Sequence, residues 1–117
     1  MLVSRWTEVE GKPVSDPGAK HVTIRVLMGD EAGASNFTMR HFEVAPGGQT
    51  PYHTHPWEHE VFVLSGQGKV LRKGGETGVG PGSFVFVPAG EEHAFQNGGE
   101  AAFAFLCVIP ATKFCIR

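Results

Sequence analysis

Three histidines, His53, His55 and His59, lie at two- and four-residue spacing in the segment between Gly47 and Gly66. Successive side chains of an extended strand point to opposite faces, so these odd-numbered residues can converge on one point. Imidazole nitrogens that converge in this way are typical ligands of divalent metals. The spacing therefore predicts a metal site, rather than a set of polar side chains at the mouth of a sheet.

A second block, from Gly82 to Asn97, supplies a fourth candidate ligand. His93 follows the turn-forming run Pro88-Ala89-Gly90, which ends one extended segment and begins another. In the first block, Pro56 predicts a bend or an edge position between the second and third histidines. Four of the six histidines of the chain thus lie in two glycine-punctuated blocks.

The two blocks resemble the paired motifs of the cupin superfamily. The first motif has glycine, His-x-His, a glutamate and a second glycine in that order, and His59 occupies the usual glutamate position here. The second motif is matched at every fixed position, by Gly82, Pro88, Gly90, His93 and Asn97. The resemblance implies the subgroup that binds a divalent metal through four histidines: His53, His55, His59 and His93.

Manganese is the metal that this resemblance implies first, with iron, zinc, nickel and copper as alternatives. Glu60 stands at the longer spacing that the first motif also allows, and it remains an alternative to His59 as the third ligand. Each ligand imidazole must be neutral and needs a partner for its second nitrogen. Glu58 and Glu60, which flank His59 on the opposite face, are candidate partners, and at least one of them is expected to be exposed at the surface instead.

The chemistry of such a site depends on its open coordination positions. Four neutral imidazoles leave the charge of a divalent ion uncompensated, which favours an anionic or oxygen-rich third partner. A six-coordinate ion keeps two adjacent positions for water, dioxygen or a chelating substrate, whereas zinc favours a closed tetrahedron.

Five further residues are candidates for the wall of a pocket beside the metal. Strict alternation groups Phe103, Phe105 and Cys107 on one face of an apolar segment, either as pocket lining or as ordinary core. Trp57 is a candidate for the rim, and Tyr52 offers a hydroxyl at the mouth. Arg40, in an earlier extended segment, is expected to be a solvated strand residue.

Length and composition limit the classes of protein to which this chain can belong. With 117 residues the chain is expected to be one domain, 1–117, and its 41% apolar content supports a packed core. The net charge of −2 and the lack of a basic run argue against nucleic acid binding. No apolar stretch approaches the roughly 20 residues of a membrane span, and Met1–Trp6 has no signal-peptide core. A cytoplasmic protein with reduced Cys107 and Cys115 is therefore expected.

The elements that carry these residues are expected to be short strands. Sixteen glycines and eight prolines separate apolar runs without helical periodicity, which predicts an all-β chain forming a sandwich or a small barrel. The resemblance narrows this to a double-stranded β-helix, the jelly-roll barrel of cupins. Predicted strands are Val22–Met28, Thr38–Val44, Glu58–Leu64, Lys69–Arg72, Ser83–Val87, His93–Gln96 and Ala102–Ile109, and Lys73–Gly82 is expected to be a turn.

Residues 1–18 are expected to form an edge strand, or an arm that adds to a partner subunit of a homodimer. A small molecule is the expected ligand. The function expected first is an oxidoreductase of dioxygenase type acting on a small oxygen-containing or unsaturated organic substrate. The alternatives are a non-enzymatic module that binds a sugar-like or acidic metabolite or stores metal, and a metal-assisted isomerase.

Overall fold

The computed structural model describes residues 1–111 as an antiparallel β structure with two single-turn 3-10 helices, Trp6–Glu8 and Asp30–Ala32. Cys115 lies outside the described residues. The all-β jelly-roll prediction is confirmed, because the strands pair antiparallel and curl into a barrel. The nine strands are β1 (Lys12–Pro13), β2 (Lys20–Met28), β3 (Phe37–Gln49), β4 (His59–Ser65), β5 (Gly68–Arg72), β6 (Gly75–Val79), β7 (Phe84–Val87), β8 (His93–Gln96) and β9 (Phe103–Pro110).

The long strand β3 holds the two halves of the barrel together. The order along the sheet is β6-β5-β8-β3-β9-β4-β7, and β2 with β1 adds beside β3. Phe37–Val44 pairs with β9, whereas Gln49 pairs with β8. The chain bends between these two pairings at Gly47, which has a φ of +79°, and at Gly48, where a Cβ would lie 2.6 Å from the carbonyl oxygen of Lys20. Only glycine fits this close approach of two backbones.

The core occupies the closed end of the barrel. Val44, Val63 and Phe103 are completely buried, and Phe105 continues this core toward the open end. The ring of Phe103 packs directly on Gly68, where an added Cβ would lie 2.4 Å from a ring carbon. Burying each of these side chains contributes about 1.5–3 kcal/mol to the free energy of folding.

The predicted strands are all present. Strand β8 has the predicted bounds, the ends of most others differ by one or two residues, and β3 continues past the predicted end at Val44 to Gln49. The turn predicted over Lys73–Gly82 is wrong in part, because this segment contains β6, which pairs with β5 as a hairpin. Its residues are glycine-rich, polar and mostly exposed, so no apolar alternation announces the strand. Residues 12–13 form an edge strand against β2, one of the two roles expected for the N-terminal segment. Within residues 1–111, no helix has the length and apolar character needed to cross a membrane.

Candidate metal centre

The four candidate ligands meet at the open end of the barrel. His53 and His55 lie on the loop between β3 and β4, His59 is the first residue of β4, and His93 is the first residue of β8. An isolated bridge joins two of these elements: the amide of His53 donates to the carbonyl of His93 at 3.1 Å, and the amide of His93 donates to the carbonyl of His53 at 3.0 Å. The backbone therefore fixes the loop to β8.

The route by which the histidines converge differs from the one that the sequence predicts. The segment before His59 is a loop with one bridge residue, His53, rather than a continuous strand, so strand alternation does not position the ligands. The loop bends at Pro56 and Trp57, as the proline predicts, and the amide of Gly90 donates to the carbonyl of His55 at 2.9 Å. Loop geometry thus brings the first two rings to the start of β4.

The rings are close enough to share one ion. Ring centroids of His53, His55 and His93 are 5.2–5.3 Å apart, and that of His59 lies 5.1 Å from that of His93. One nitrogen from each of His53, His55 and His93 can be chosen so that all three lie within 4.8 Å of one another. The Nε2 atoms of His55 and His59 are in direct contact.

The second nitrogens of three rings have defined partners. Nδ1 of His55 lies 2.9 Å from the carbonyl oxygen of Trp57, and Nδ1 of His93 lies 2.8 Å from that of Glu91. Because a carbonyl only accepts, each Nδ1 must carry the proton, which leaves the Nε2 lone pair available to a metal. Nδ1 of His59 lies 2.9 Å from Sγ of Cys107. These contacts make the residues present a good fit for a divalent cation.

The two glutamates that were candidates to hold these nitrogens are both exposed, in line with the expectation that at least one lies at the surface. Glu60 is exposed on the face of β4 opposite His59, because successive strand residues alternate between faces. It contacts Glu58, and the hydrogen bond from Glu58, together with burial and the charge of Glu58, raises the pKa of Glu60 to about 7. The partners are instead two backbone carbonyls and a thiol, and Glu60 lies away from the ring cluster.

Burial keeps the imidazoles of His55 and His59 neutral. Desolvation lowers the pKa of His55 to about 4, although the hydrogen bond to the Trp57 carbonyl partly opposes it. Desolvation also lowers the pKa of His59, and the positive charges of His55 and Arg40 add to the effect. Neutral imidazole is the form that binds metal ions. Both residues are therefore already neutral at neutral pH, and no proton has to leave before they bind a metal ion.

A cavity of about 370 Å³ opens in front of the cluster. Its inner walls are aromatic, and the rings of Phe105 and Phe95 lie 4.7 Å apart between centroids. The outer wall is the N-terminal segment Lys12–Asp16, which crosses the mouth beside β2. The arrangement combines a metal-binding corner, an apolar interior and a short polar rim.

The five predicted pocket residues occupy three different environments. Phe105, Cys107 and Trp57 line the cavity, and Trp57 stacks on His55 with centroids 4.6 Å apart. Phe103 is completely buried in the core, because β9 starts at the closed end and only its later residues reach the histidines. Tyr52 is exposed and does not line the cavity.

Arg40 was expected in solvent, and the structure instead places it in the cavity wall. Its Nη2 donates to Sγ of Cys107 at 3.0 Å, and its guanidinium lies 5.0 Å from the centre of the Phe42 ring. Arg40, Phe42 and Val44 share one face of β3, and the two apolar neighbours on that face are the signal for an inward direction. No comparable signal in the sequence indicates that residues 12–16 form part of the cavity wall.

The chain is similar to several known proteins. A family model described as a cupin domain matches residues 40–109. The polyketide cyclase RemF from Streptomyces resistomycificus is 41% identical, with a TM-score of 0.90 over 94% of this chain and 79% of that one. A 1-methylthio-D-xylulose 5-phosphate methylsulfurylase from Rhodospirillum rubrum is 29% identical over 93% of this chain and 70% of its own. A predicted oxalate decarboxylase from Thermotoga maritima is 27% identical, with a TM-score of 0.82 over 94% of this chain and 99% of that one.

Proposed function

Because the chain belongs to the cupin-domain family and carries four clustered histidines beside an aromatic cavity, we propose that it is a metal-dependent enzyme that closes a ring in a polyketide. The similarity to a polyketide cyclase over nearly the whole chain is the observation that carries this proposal. A polyketide carries ketones on alternate carbons, so the carbon between two of them loses a proton readily. Ring closure then requires orientation of the chain and stabilisation of negative charge on oxygen.

The proposed ligand set is His53, His55, His59 and His93. A divalent ion held there would act as a Lewis acid that stabilises the enolate oxygen of a 1,3-diketone. This reaction needs no change in the oxidation state of the ion. Manganese, which the resemblance to cupins implies, and zinc are therefore both suitable.

The cavity walls would hold the reacting chain in a folded conformation. Phe42 and Phe105 are stacked with centroids 5.3 Å apart, and Phe95 continues this surface. Flat apolar walls bind an extended ketone chain through its carbon atoms and exclude water, which would compete for the enolate. Bringing two carbons of one chain into contact is the entropic part of ring closure.

Asp16 is the one carboxylate among the described residues that line this cavity, and it is the candidate proton acceptor. The proton on the carbon between two ketones would pass to Asp16, and the C–H electron pair would form the new bond to a distant ketone carbon. The alkoxide oxygen formed from that ketone would take the proton back from Asp16. The atoms and electrons balance without an oxidant, and loss of water from the product leads to an aromatic ring.

The test is turnover of a synthetic poly-β-ketone thioester by zinc-loaded and manganese-loaded protein. We expect the same cyclised and dehydrated product with both ions, with and without dioxygen, as detected by mass spectrometry. The matched control is His93→Ala, which removes one proposed ligand from β8. A rate no higher than that of this variant would refute the proposal.

The dioxygenase-type oxidoreductase predicted from the sequence is the second candidate. Neutral histidines beside apolar walls support it, because they leave coordination positions open and protect reactive oxygen species from water. It requires a redox-active ion and dioxygen, so it would work with manganese or iron and fail with zinc or without oxygen. Dioxygen consumption with an electron-rich enol, measured in the same preparations, separates the two reactions.

A further inference from the structure

Arg40 is a cation inside the cavity with no carboxylate partner among residues 1–111. Neither of the two ion pairs formed by these residues includes it. Its Nη2 donates to Sγ of Cys107, and its Nε is buried with no hydrogen-bond partner. Leaving a buried donor unpaired costs about 1–3 kcal/mol, and more for a charged group. The guanidinium therefore retains an unused capacity to bind an acceptor.

The charges around Arg40 add to this demand. Lys12 and Asp16 at the rim offset one another, and the four histidines are uncharged as metal ligands. A divalent ion would therefore place two more positive charges in the same cavity as the guanidinium. Like charges in a partly desolvated site repel, and a bound anion relieves the repulsion.

We propose that Arg40 binds an anionic oxygen of the substrate beside the histidine cluster, either a carboxylate or the enolate oxygen of a 1,3-dicarbonyl unit. The identity of the dicarbonyl unit rests on the proposed function, whereas anion binding itself follows from the charges of the cavity. The contacts with Cys107 and the Phe42 ring hold the guanidinium in place before the ligand arrives. Preorganised donors of this kind lose little entropy on binding.

The test compares acetoacetate with its neutral methyl ester as probes, by calorimetric titration of the zinc-loaded protein. We expect acetoacetate to bind the wild type at least about ten-fold more tightly than the ester, because a charge-assisted hydrogen bond contributes about 1.5–3 kcal/mol. Arg40→Met should remove this preference while changing affinity for the ester less than about three-fold. Arg40→Lys should keep part of the preference for acetoacetate, because lysine keeps the positive charge but lacks the planar guanidinium with its paired donors.

Arg72→Met is the matched control, since Arg72 is exposed and donates to Thr77 away from the cavity. It should bind both probes as the wild type does. Zinc content and circular dichroism establish that each variant is loaded and folded. If Arg40→Met loses its zinc, the anion preference is tested by the same titrations of the metal-free wild type and of Arg40→Lys. An Arg40→Met protein that still prefers acetoacetate, or that loses both probes equally, would overturn the assignment. Neither probe forms a ring. If the protein prefers acetoacetate to the ester through Arg40 but does not cyclise the poly-β-ketone, only the proposed function is refuted.

A separate inference concerns the outer face of β4 and β7. Phe84 is 83% exposed, Phe86 56%, Phe62 47% and Leu64 39%, and these side chains are neighbours across the two paired strands. The charged residue among them is Glu60, at one end of the patch. In the described part of the sheet, β7 is an edge strand with β4 as its partner. A contiguous apolar surface of this kind is typical of an interface.

The size of the aromatic patch matches what a dimer needs. With about 200 Å² for a whole phenylalanine side chain, the four residues expose about 440 Å². A stable interface buries about 800 Å² on each partner, rather more than half of it apolar, or about 450–520 Å². The patch is almost uncharged, so two copies related by a two-fold axis bring no like charges together at its centre.

We infer that this face packs against the same face of a second copy of the chain. Sedimentation velocity should give twice the monomer mass of 12.6 kDa for the wild type. Phe84→Lys and Phe86→Lys should each give folded monomers, because both positions are exposed. Met28→Lys, at an exposed position on β2, should remain dimeric. A monomeric wild type, or a dimer that survives both phenylalanine substitutions, would overturn the inference.

Discussion

Replacing Cys107 by alanine should weaken zinc binding by about 10- to 100-fold. Sγ of Cys107 lies 2.9 Å from Nδ1 of His59 and accepts a hydrogen bond from Arg40 at 3.0 Å. With Nε2 facing the other rings, Nδ1 carries the proton and donates to sulfur. Alanine leaves this buried N–H without an acceptor, so His59 loses both its orientation and part of its basicity.

Two independent estimates give the expected loss of zinc affinity. An unsatisfied buried donor costs about 1–3 kcal/mol, which corresponds to roughly 5- to 150-fold in affinity. Substitution of a group that holds a ligating histidine typically costs about 10- to 100-fold in metal affinity. Cys107→Ser should fall between the wild type and Cys107→Ala, because the hydroxyl still accepts but its shorter bond to Cβ lengthens the contact.

Competition for zinc against a chromophoric chelator measures these affinities. The control is Val61→Ala, because Val61 is buried and pairs with Cys107 across β4 and β9 but has no polar atom near the cluster. It should lower the free energy of unfolding and leave zinc affinity within about three-fold. Equal losses in Val61→Ala and Cys107→Ala, or wild-type affinity in Cys107→Ala, would show that the thiol does not position His59.

Three further outcomes are expected. His93→Ala should abolish stoichiometric metal binding, whereas Glu60→Ala should retain it, as metal analysis after dialysis will show; equal losses would restore Glu60 as a ligand. The pKa of His55 is lowered to about 4 and that of His59 is also lowered, so the unfolded chain binds more protons than the folded one below about pH 6.5. The urea midpoint of the metal-free protein should therefore fall as pH drops from 6.5 toward 4, and a constant midpoint would contradict the burial of these rings. Gly68→Ala should destabilise the protein by about 1–3 kcal/mol, because its Cβ would overlap a core phenylalanine ring; unchanged thermal denaturation would contradict this packing.

The sequence predicts the elements better than it predicts the route by which they meet. Strand β8 has the predicted bounds, His93–Gln96, because Gly90 and Gly98 punctuate it and its residues are compatible with a buried strand. The ligand segment before His59 is different. Its rings converge because a loop bends at Pro56 and is fixed to β8 by backbone hydrogen bonds, and such long-range pairing leaves no periodic trace in the sequence.

Alternation assigns a face to a residue but not its distance from the site. Phe103 and Cys107 share the inward face of β9, yet Phe103 lies in the core and Cys107 contacts His59. Their separation along the barrel axis depends on the direction in which β9 runs, which only the fold supplies. Arg40 shows the converse limit. Its face of β3 is shared with Phe42 and Val44 and so points inward, but a charged residue on a strand is normally exposed, and the pairing of Arg40 with Cys107 brings it to the cavity wall.

Backbone hydrogen bonds to β2 join the outer wall of the cavity to the barrel. Residues 12–13 pair with β2, and the amide of Val14 donates to the carbonyl of Val22, whereas Ser15 and Asp16 continue along the mouth. The histidines and the core belong to other strands. Substitutions in this wall other than at Asp16, the proposed proton acceptor, should therefore change which substrates fit while leaving the stability of the barrel and the affinity for metal nearly constant. That separation makes the wall a natural place for substrate range to diverge among related proteins and a practical one for engineering it.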